Sequence, residues 1–301
     1  MIVIALAFIF FLPYYLNFGS SVEGFGAVNT TTRYPHLLIV WGLPLLLVGP
    51  FIVGSFCQAV IGPDWRRMIL YSLSVGFLPY LVWLVVRLQS GGDTDGALTR
   101  LFHILPIGLL ISMGVYAAVT NVKQELSGKA FALLLGTVGL LLIMGPELLY
   151  VDDFFGFPSI RMNTVFKLYY QAWILIAAAS GFAVYYCWVE RQAVSGWKRS
   201  LFSIWIAGIF ILMICSLYYP VAASTTKAGA FTNPTLDGLE FLNRTESAEY
   251  SAIEYIRTHV KPDEAIVEAV GEWFEWGLIS RSTGVPTIFN WPGHQIQWRG
   301  S

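Results

Sequence analysis

Between residues 130 and 146 the chain reads AFALLLGTVGLLLIMGP, seventeen positions without a charge. A helix needs roughly 20 predominantly apolar residues to cross the hydrocarbon core of a bilayer. Runs of this character recur at about 1–17, 36–60, 67–88, 99–120, 130–150, 164–189 and 200–219. Only helices and closed barrels satisfy their own backbone inside lipid. Seven such segments therefore predict a mainly α fold, a polytopic transmembrane helix bundle. Composition agrees, since 12% of the 301 residues are charged, against about 25% in a soluble domain. The first run has no basic stretch ahead of it and no small-residue cleavage site, and it ends FLPYYLNF, so it reads as a span and not a signal peptide. A net charge of −1 leaves no basic surface for a nucleic-acid partner. Cys57, Cys187 and Cys215 lie in apolar runs and lack the spacing of a disulfide framework or zinc site.

Basic residues between the runs set an orientation. Arg66, Arg67, Lys123, Lys129, Arg191, Lys198 and Arg199 fall in the even loops, and Arg33, Arg87, Arg100, Arg161 and Lys167 in the odd ones. The positive-inside rule puts the even loops in the cytoplasm. The expectation is a multi-pass plasma-membrane protein with its C-terminal tail on the extracytoplasmic face. Composition changes at Tyr219-Pro220, dividing a bundle, 1–219, from a tail, 220–301, with ten acidic residues against six basic ones. In the tail TESAEYSAIEYIRTHV reads as an amphipathic helix. KPDEAIVEAV and GVPTIFNW read as short strands, so a small α/β domain is expected. The chain stops after HQIQWRG without a capping element, and the tail domain is expected to be cut short there.

The stretch PELLYVDDFFGFPSIRMNTVFKLYYQAW, residues 146–173, places many polar groups at the edge of two apolar runs. Carboxylates are costly in lipid, so Glu147, Asp152 and Asp153 are expected to face water or a cavity. Asn163, Lys167 and Gln171 follow at i, i+4 and i+8, one stripe of a helix. Arg161 precedes that helix, where a guanidinium and the helix N-terminus together suit a phosphate. Acids facing such a cationic group fit a phosphate-linked substrate. Asp152 and Asp153 would hold a divalent cation, magnesium or manganese. Three plainer readings stand beside this one: a simple exit into solvent, a snorkelling Lys167, and a structural ion-pair cluster. The tail adds Trp273, Trp276, Trp291 and Trp298, with Glu272, Glu275, Arg281, His294 and Arg299 between them. Rings beside carboxylates suit carbohydrate or lipid-headgroup recognition. They equally suit docking of the tail onto a membrane surface.

ELLYVDDFFG, RMNTVFKLYYQAW, NPTLDGLEFL and STGVPTIFNWPGHQIQWRG closely resemble the YYY family of multipass membrane proteins. The resemblance runs from YYLNF to QWRG. Members are longer, which implies that this chain is a middle-to-C-terminal portion. The family is grouped with GT-C-type integral membrane glycosyltransferases, which take sugars from polyprenyl-phosphate donors on the extracytoplasmic face. WFEWG, residues 273–277, is similar to the WWDYG signature of the oligosaccharyltransferase catalytic subunit. Trp273 and Gly277 match, while Phe274, Glu275 and Trp276 are substitutions. In that superfamily the catalytic acid lies in the first external loop, and Glu23 is the one acid in this chain's opening loop.

The resulting expectation is a GT-C-like enzyme whose partners are membrane lipid and a lipid-phosphate-linked sugar. Glu147, Asp152 and Asp153 would act as acid, base or metal ligands. Arg161, Asn163, Lys167 and Gln171 would hold the donor phosphate. Trp273, Glu275, Trp276, Arg281, Asn290, His294, Trp298 and Arg299 would bind acceptor or glycan. The rivals are a non-enzymatic transporter or flippase of lipid-linked intermediates and a structural membrane anchor of an envelope assembly.

Overall fold

The first apolar run forms helix α1 (Ile2–Asn17). Its 16 residues reach about 24 Å at 1.5 Å per residue, short of the roughly 30 Å hydrocarbon core. The other six runs form the helices long and apolar enough to cross a membrane among the described residues. They are α2 (Tyr34–Cys57), α3 (Trp65–Gln89), α4 (Ala97–Lys123), α5 (Ser127–Leu148), α6 (Met162–Glu190) and α7 (Trp197–Ser216), which continues into α8 (Tyr218–Lys227). The seven expected runs thus appear, among the described residues, as six helices of spanning length and one shorter apolar helix. The computed structural model describes residues 2–17, 22, 24–59, 61–153, 155–190, 195–232, 234–261, 263–272 and 276–299. The chain divides into two compact units, residues 23–220, and residues 221–301 together with 1–22.

Within the first unit α5 is the central helix, with α4 and α6 packed along it and α2 against both. Sixty-one per cent of its apolar window is buried, against 6% for Arg199–Lys227. Lipid tails are as apolar as leucine, so helices in a bilayer associate through close packing rather than the hydrophobic effect. Small residues supply that packing. A Cβ on Gly76 of α3 would sit 2.5 Å from the Gly108 carbonyl oxygen of α4. The core between them is large side chains, Trp41, Phe51, Trp83, Ile111, Leu133, Leu140 and Ile176, all 2% exposed or less.

Two short strands, not foreseen from the sequence, tie the segment before α2 to the end of α5. β1 (Gly24–Ala27) pairs antiparallel with β2 (Leu149–Asp152), Gly24 opposite Asp152 and Ala27 opposite Leu149. The Val28 N–H extends the ladder to Leu148 O at 2.8 Å.

The tail carries α9 (Glu240–Thr245), α10 (Ser247–His259), α11 (Leu278–Thr283) and α12 (Pro292–Arg299). Helix α10 is the expected amphipathic helix, with Ile253 fully buried. The two expected strands reduce to one parallel bridge, Ile266 with Thr287. Glu268 accepts the N–H groups of Ile279 and Ser280, both at 2.9 Å, and so caps the start of α11.

Candidate functional site

The last turn of a helix leaves carbonyls without helical partners. At the end of α5 three of them are met from elsewhere in the chain. Pro146 O accepts from Arg161 Nη1 at 2.9 Å, Glu147 O from Arg100 Nη1 at 2.8 Å, and Leu148 O from the Val28 N–H. Cations here also sit at the negative end of the α5 dipole. Arg100 is 6% exposed. Its Nη2 donates to Val28 O and Asn29 O, both at 2.8 Å, and its guanidinium lies 5.1 Å from the Trp83 ring centre.

The Glu147 side chain is 2% exposed. Its Oε2 accepts from the Thr32 N–H at 2.7 Å and its Oε1 from the Thr32 hydroxyl at 2.6 Å. Arg161 Nη2 stands 3.4 Å from Oε1 and also donates to Thr32 Oγ1 at 2.6 Å. His103 Nε2 lies 4.0 Å from Oε2, its ring stacked on Tyr34. A carboxylate withdrawn from water costs several kcal/mol unless partners of this kind surround it. Thr32, Arg100 and His103 were not among the residues marked from sequence. Arg100 and His103 left a faint signal, two ionisable groups three positions apart in an apolar run; Thr32 left none.

The remaining candidates of the 146–173 stretch separate into two groups. Asp153 Oδ1 accepts from the Phe155 N–H at 3.0 Å and its Oδ2 from Asn163 Nδ2 at 2.8 Å, so the loop closes onto the start of α6. Asp152 is half-buried in β2. Burial pushes the nearby Tyr150 phenol up, and the Asp152 charge adds to the shift. Lys167 and Gln171 are exposed, as is Tyr170. The face of α6 turned into the bundle carries Ala172, Ile176, Ala179 and Ala183 instead. The structure therefore brings Glu147 to Arg161 and Asp153 to Asn163, and leaves Lys167 and Gln171 outside. Among the described residues no group of three or more His, Cys, Asp or Glu side chains converges around Asp152 and Asp153 or elsewhere. Both Asp153 oxygens are engaged.

Among the described residues, two cavities of similar size lie beside the cluster and share no lining residue. One, about 490 Å³, runs along α6 with Arg161 at its head and Val165, Phe166, Tyr169, Tyr170 and Trp173 as its walls. The other, about 470 Å³, lies at the start of α4, where Arg87, Arg100, His103, Thr31, Thr99 and Asn29 line it.

In the tail, Trp291 Nε1 donates to Trp276 O at 2.8 Å, and the Trp291 and His294 rings lie 5.3 Å apart. Asn290 Oδ1 accepts from the Trp291 N–H at 2.8 Å. Trp276, Asn290 and His294 are thus brought together. Arg281 is exposed on α11. Trp273, Glu275 and Glu23 lie outside the described residues, as do the side chains of Trp298 and Arg299 on α12.

Six apolar helices of spanning length, with a buried ionic cluster at the end of α5, define a polytopic α-helical membrane protein. Residues 1–176 match the uncharacterised membrane protein family DUF2298, more than half of the chain, and the chain belongs to that family. No curated protein and no solved structure matches it.

Proposed function

We propose that the chain is part of an integral membrane glycosyltransferase. It would transfer a sugar from a polyprenyl-phosphate carrier to an acceptor on the extracytoplasmic face of the plasma membrane. The resemblance to the YYY and GT-C proteins points the same way. The observation that carries this reading is the groove along α6, with one guanidinium at its head and an apolar, aromatic wall behind it. A phosphate-headed isoprenoid has the same two parts. Arg161 meets the phosphate beside the N-terminus of α6, and the chain lies against Phe166, Tyr170 and Trp173. In transfer the bond from the sugar C1 to the phosphate oxygen breaks. That oxygen leaves with the electron pair, and Arg161 takes up its developing charge. The acceptor oxygen bonds to C1, and its proton passes to Asp152, at the end of β2, or to Asp153 beside it. Glu147, closed off from water, positions Arg161. Lys167 and Gln171 fall outside this donor site. Trp276, Trp291 and His294 are the candidates for acceptor or glycan recognition.

The test is transfer from a radiolabelled polyprenyl-phosphate sugar in membranes. Arg161→Ala should lose transfer. Because Arg161 also closes α5, a second variant is needed: Trp173→Ala should raise the donor KM about ten-fold with the chain still folded, from the lost apolar contact. Full transfer by Arg161→Ala membranes would refute the role. Carrier crossing the bilayer with no sugar transferred would favour the translocator instead.

A further inference from the structure

The cavity at the start of α4 is separate from the α6 groove, and its lining has a different character. Donors dominate it. Arg87, Arg100, His103, Thr31 and Thr99 line it with a single carboxylate, Asp95, and Asn29 Oδ1 accepts from Arg87 Nη1 at 3.2 Å. Arg100 is buried, and among the described residues no carboxylate lies within 4 Å of its guanidinium; backbone carbonyls and the Trp83 ring surround it. The Glu147 charge acts on it from beyond that distance, and a buried cation whose direct partners are dipoles favours a further anion nearby. The same indole holds a second guanidinium, Arg87, at 5.5 Å. The first turn of α4 contains no acidic residue and no side chain caps it, so its partial positive charge adds to the field.

Arg87 is meanwhile held by a loop. Its Nε donates to Asp93 O at 2.7 Å, and its Nη2 to Asp93 Oδ1 at 3.0 Å and Asp95 O at 3.3 Å. The Asp93 side chain is 64% exposed. Glycines at Gly91 and Gly96 take left-handed φ of 74° and 76° on either side of it. An ion pair this open to water is weak, and a phosphate with several oxygens would displace it.

We propose that this cavity is an anion site for the phosphoryl group of a lipid headgroup or a soluble phosphate ester, and that Asp93 holds its Arg87 arm when no ligand is present. The Arg87 guanidinium also keeps the Asp93 carboxyl below its ordinary range, as expected of a carboxylate seated on a cation. The proposal stands apart from the donor reading, because the two cavities share no residue.

Calorimetric titration of the full chain, purified in a maltoside detergent at low salt, tests it with three probes: inorganic phosphate, glucose 1-phosphate and dioctanoyl phosphatidate. Saturable binding is expected. Arg87→Ala should weaken it ten-fold or more, about the effect of removing one charge-assisted partner. Asp93→Asn should tighten it about two- to five-fold, the release of an exposed pair, and a gain cannot arise from misfolding. Lys167→Ala, a cation elsewhere on the surface, should bind as the wild type does. Tighter binding of the phosphatidate than of glucose 1-phosphate assigns the site to a lipid headgroup, and the reverse order assigns it to a soluble ester. The proposal falls if no probe saturates, if Arg87→Ala binds normally, or if Asp93→Asn binds more weakly.

Discussion

Glu147 is reached from three separate stretches of chain: Thr32 with two hydrogen bonds, Arg161 across 3.4 Å, and the His103 ring. Removing one side of a buried pair leaves the other uncompensated, which costs about 3–5 kcal/mol. Glu147→Ala should lower stability by that amount in a detergent unfolding series. Lys167→Ala, on the outer face of α6, should stay within about 0.5 kcal/mol of the wild type. Equal effects from the two would contradict the placement of both. The sequence allowed half of this contrast to be read. Glu147, Asp153, Arg161 and Asn163 stood out as polar groups among apolar neighbours, and the structure pairs them. Lys167 and Gln171 stood out for the same reason and point away. Helical spacing says which residues share a face, not which way that face turns. Thr32 and Arg100 were missed because their partner lies 115 and 47 positions away, beyond any local pattern.

The β1–β2 pair is the element that carries Thr32 to Glu147. Its register places Gly26 opposite Tyr150, and a Cβ at Gly26 would run into the Tyr150 ring. Gly26→Ala should therefore loosen the pair, at about 1–3 kcal/mol for an overpacked contact. Hydrogen exchange at the Val28 N–H reads this directly, and unchanged protection would falsify the strand's role. The six long helices were legible because lipid demands an unmistakable composition. The strands were not. GFGA carries two glycines and none of the β-branched alternation that marks a strand, and it forms only because Leu149–Asp152 lies alongside. In the tail, AIV and TIF do carry β-forming residues, yet they pair through a single bridge.

Across the whole bundle, α4 has 27 residues, about 40 Å at 1.5 Å per residue, enough to cross the bilayer completely. Positions 93 and 124, just outside its two ends, should lie on opposite faces. Single cysteines there, with the three native ones replaced, should label from opposite sides, with 124 on the cytoplasmic side by the positive-inside rule. Labelling of both from one side would overturn the span. The family match ends at residue 176, so both cavities and the Glu147 cluster lie within it, and the tail rings lie beyond it.

Arg100 and Arg161 meet the final carbonyls of α5 from two different neighbours, one upstream and one downstream in the chain. A nascent polypeptide leaving the ribosome makes α5 before it makes residue 161. Until α6 begins to enter the membrane, one of those oxygens lacks its guanidinium, and so does the acid beside it. The central span therefore gains its full set of partners only when the next one arrives.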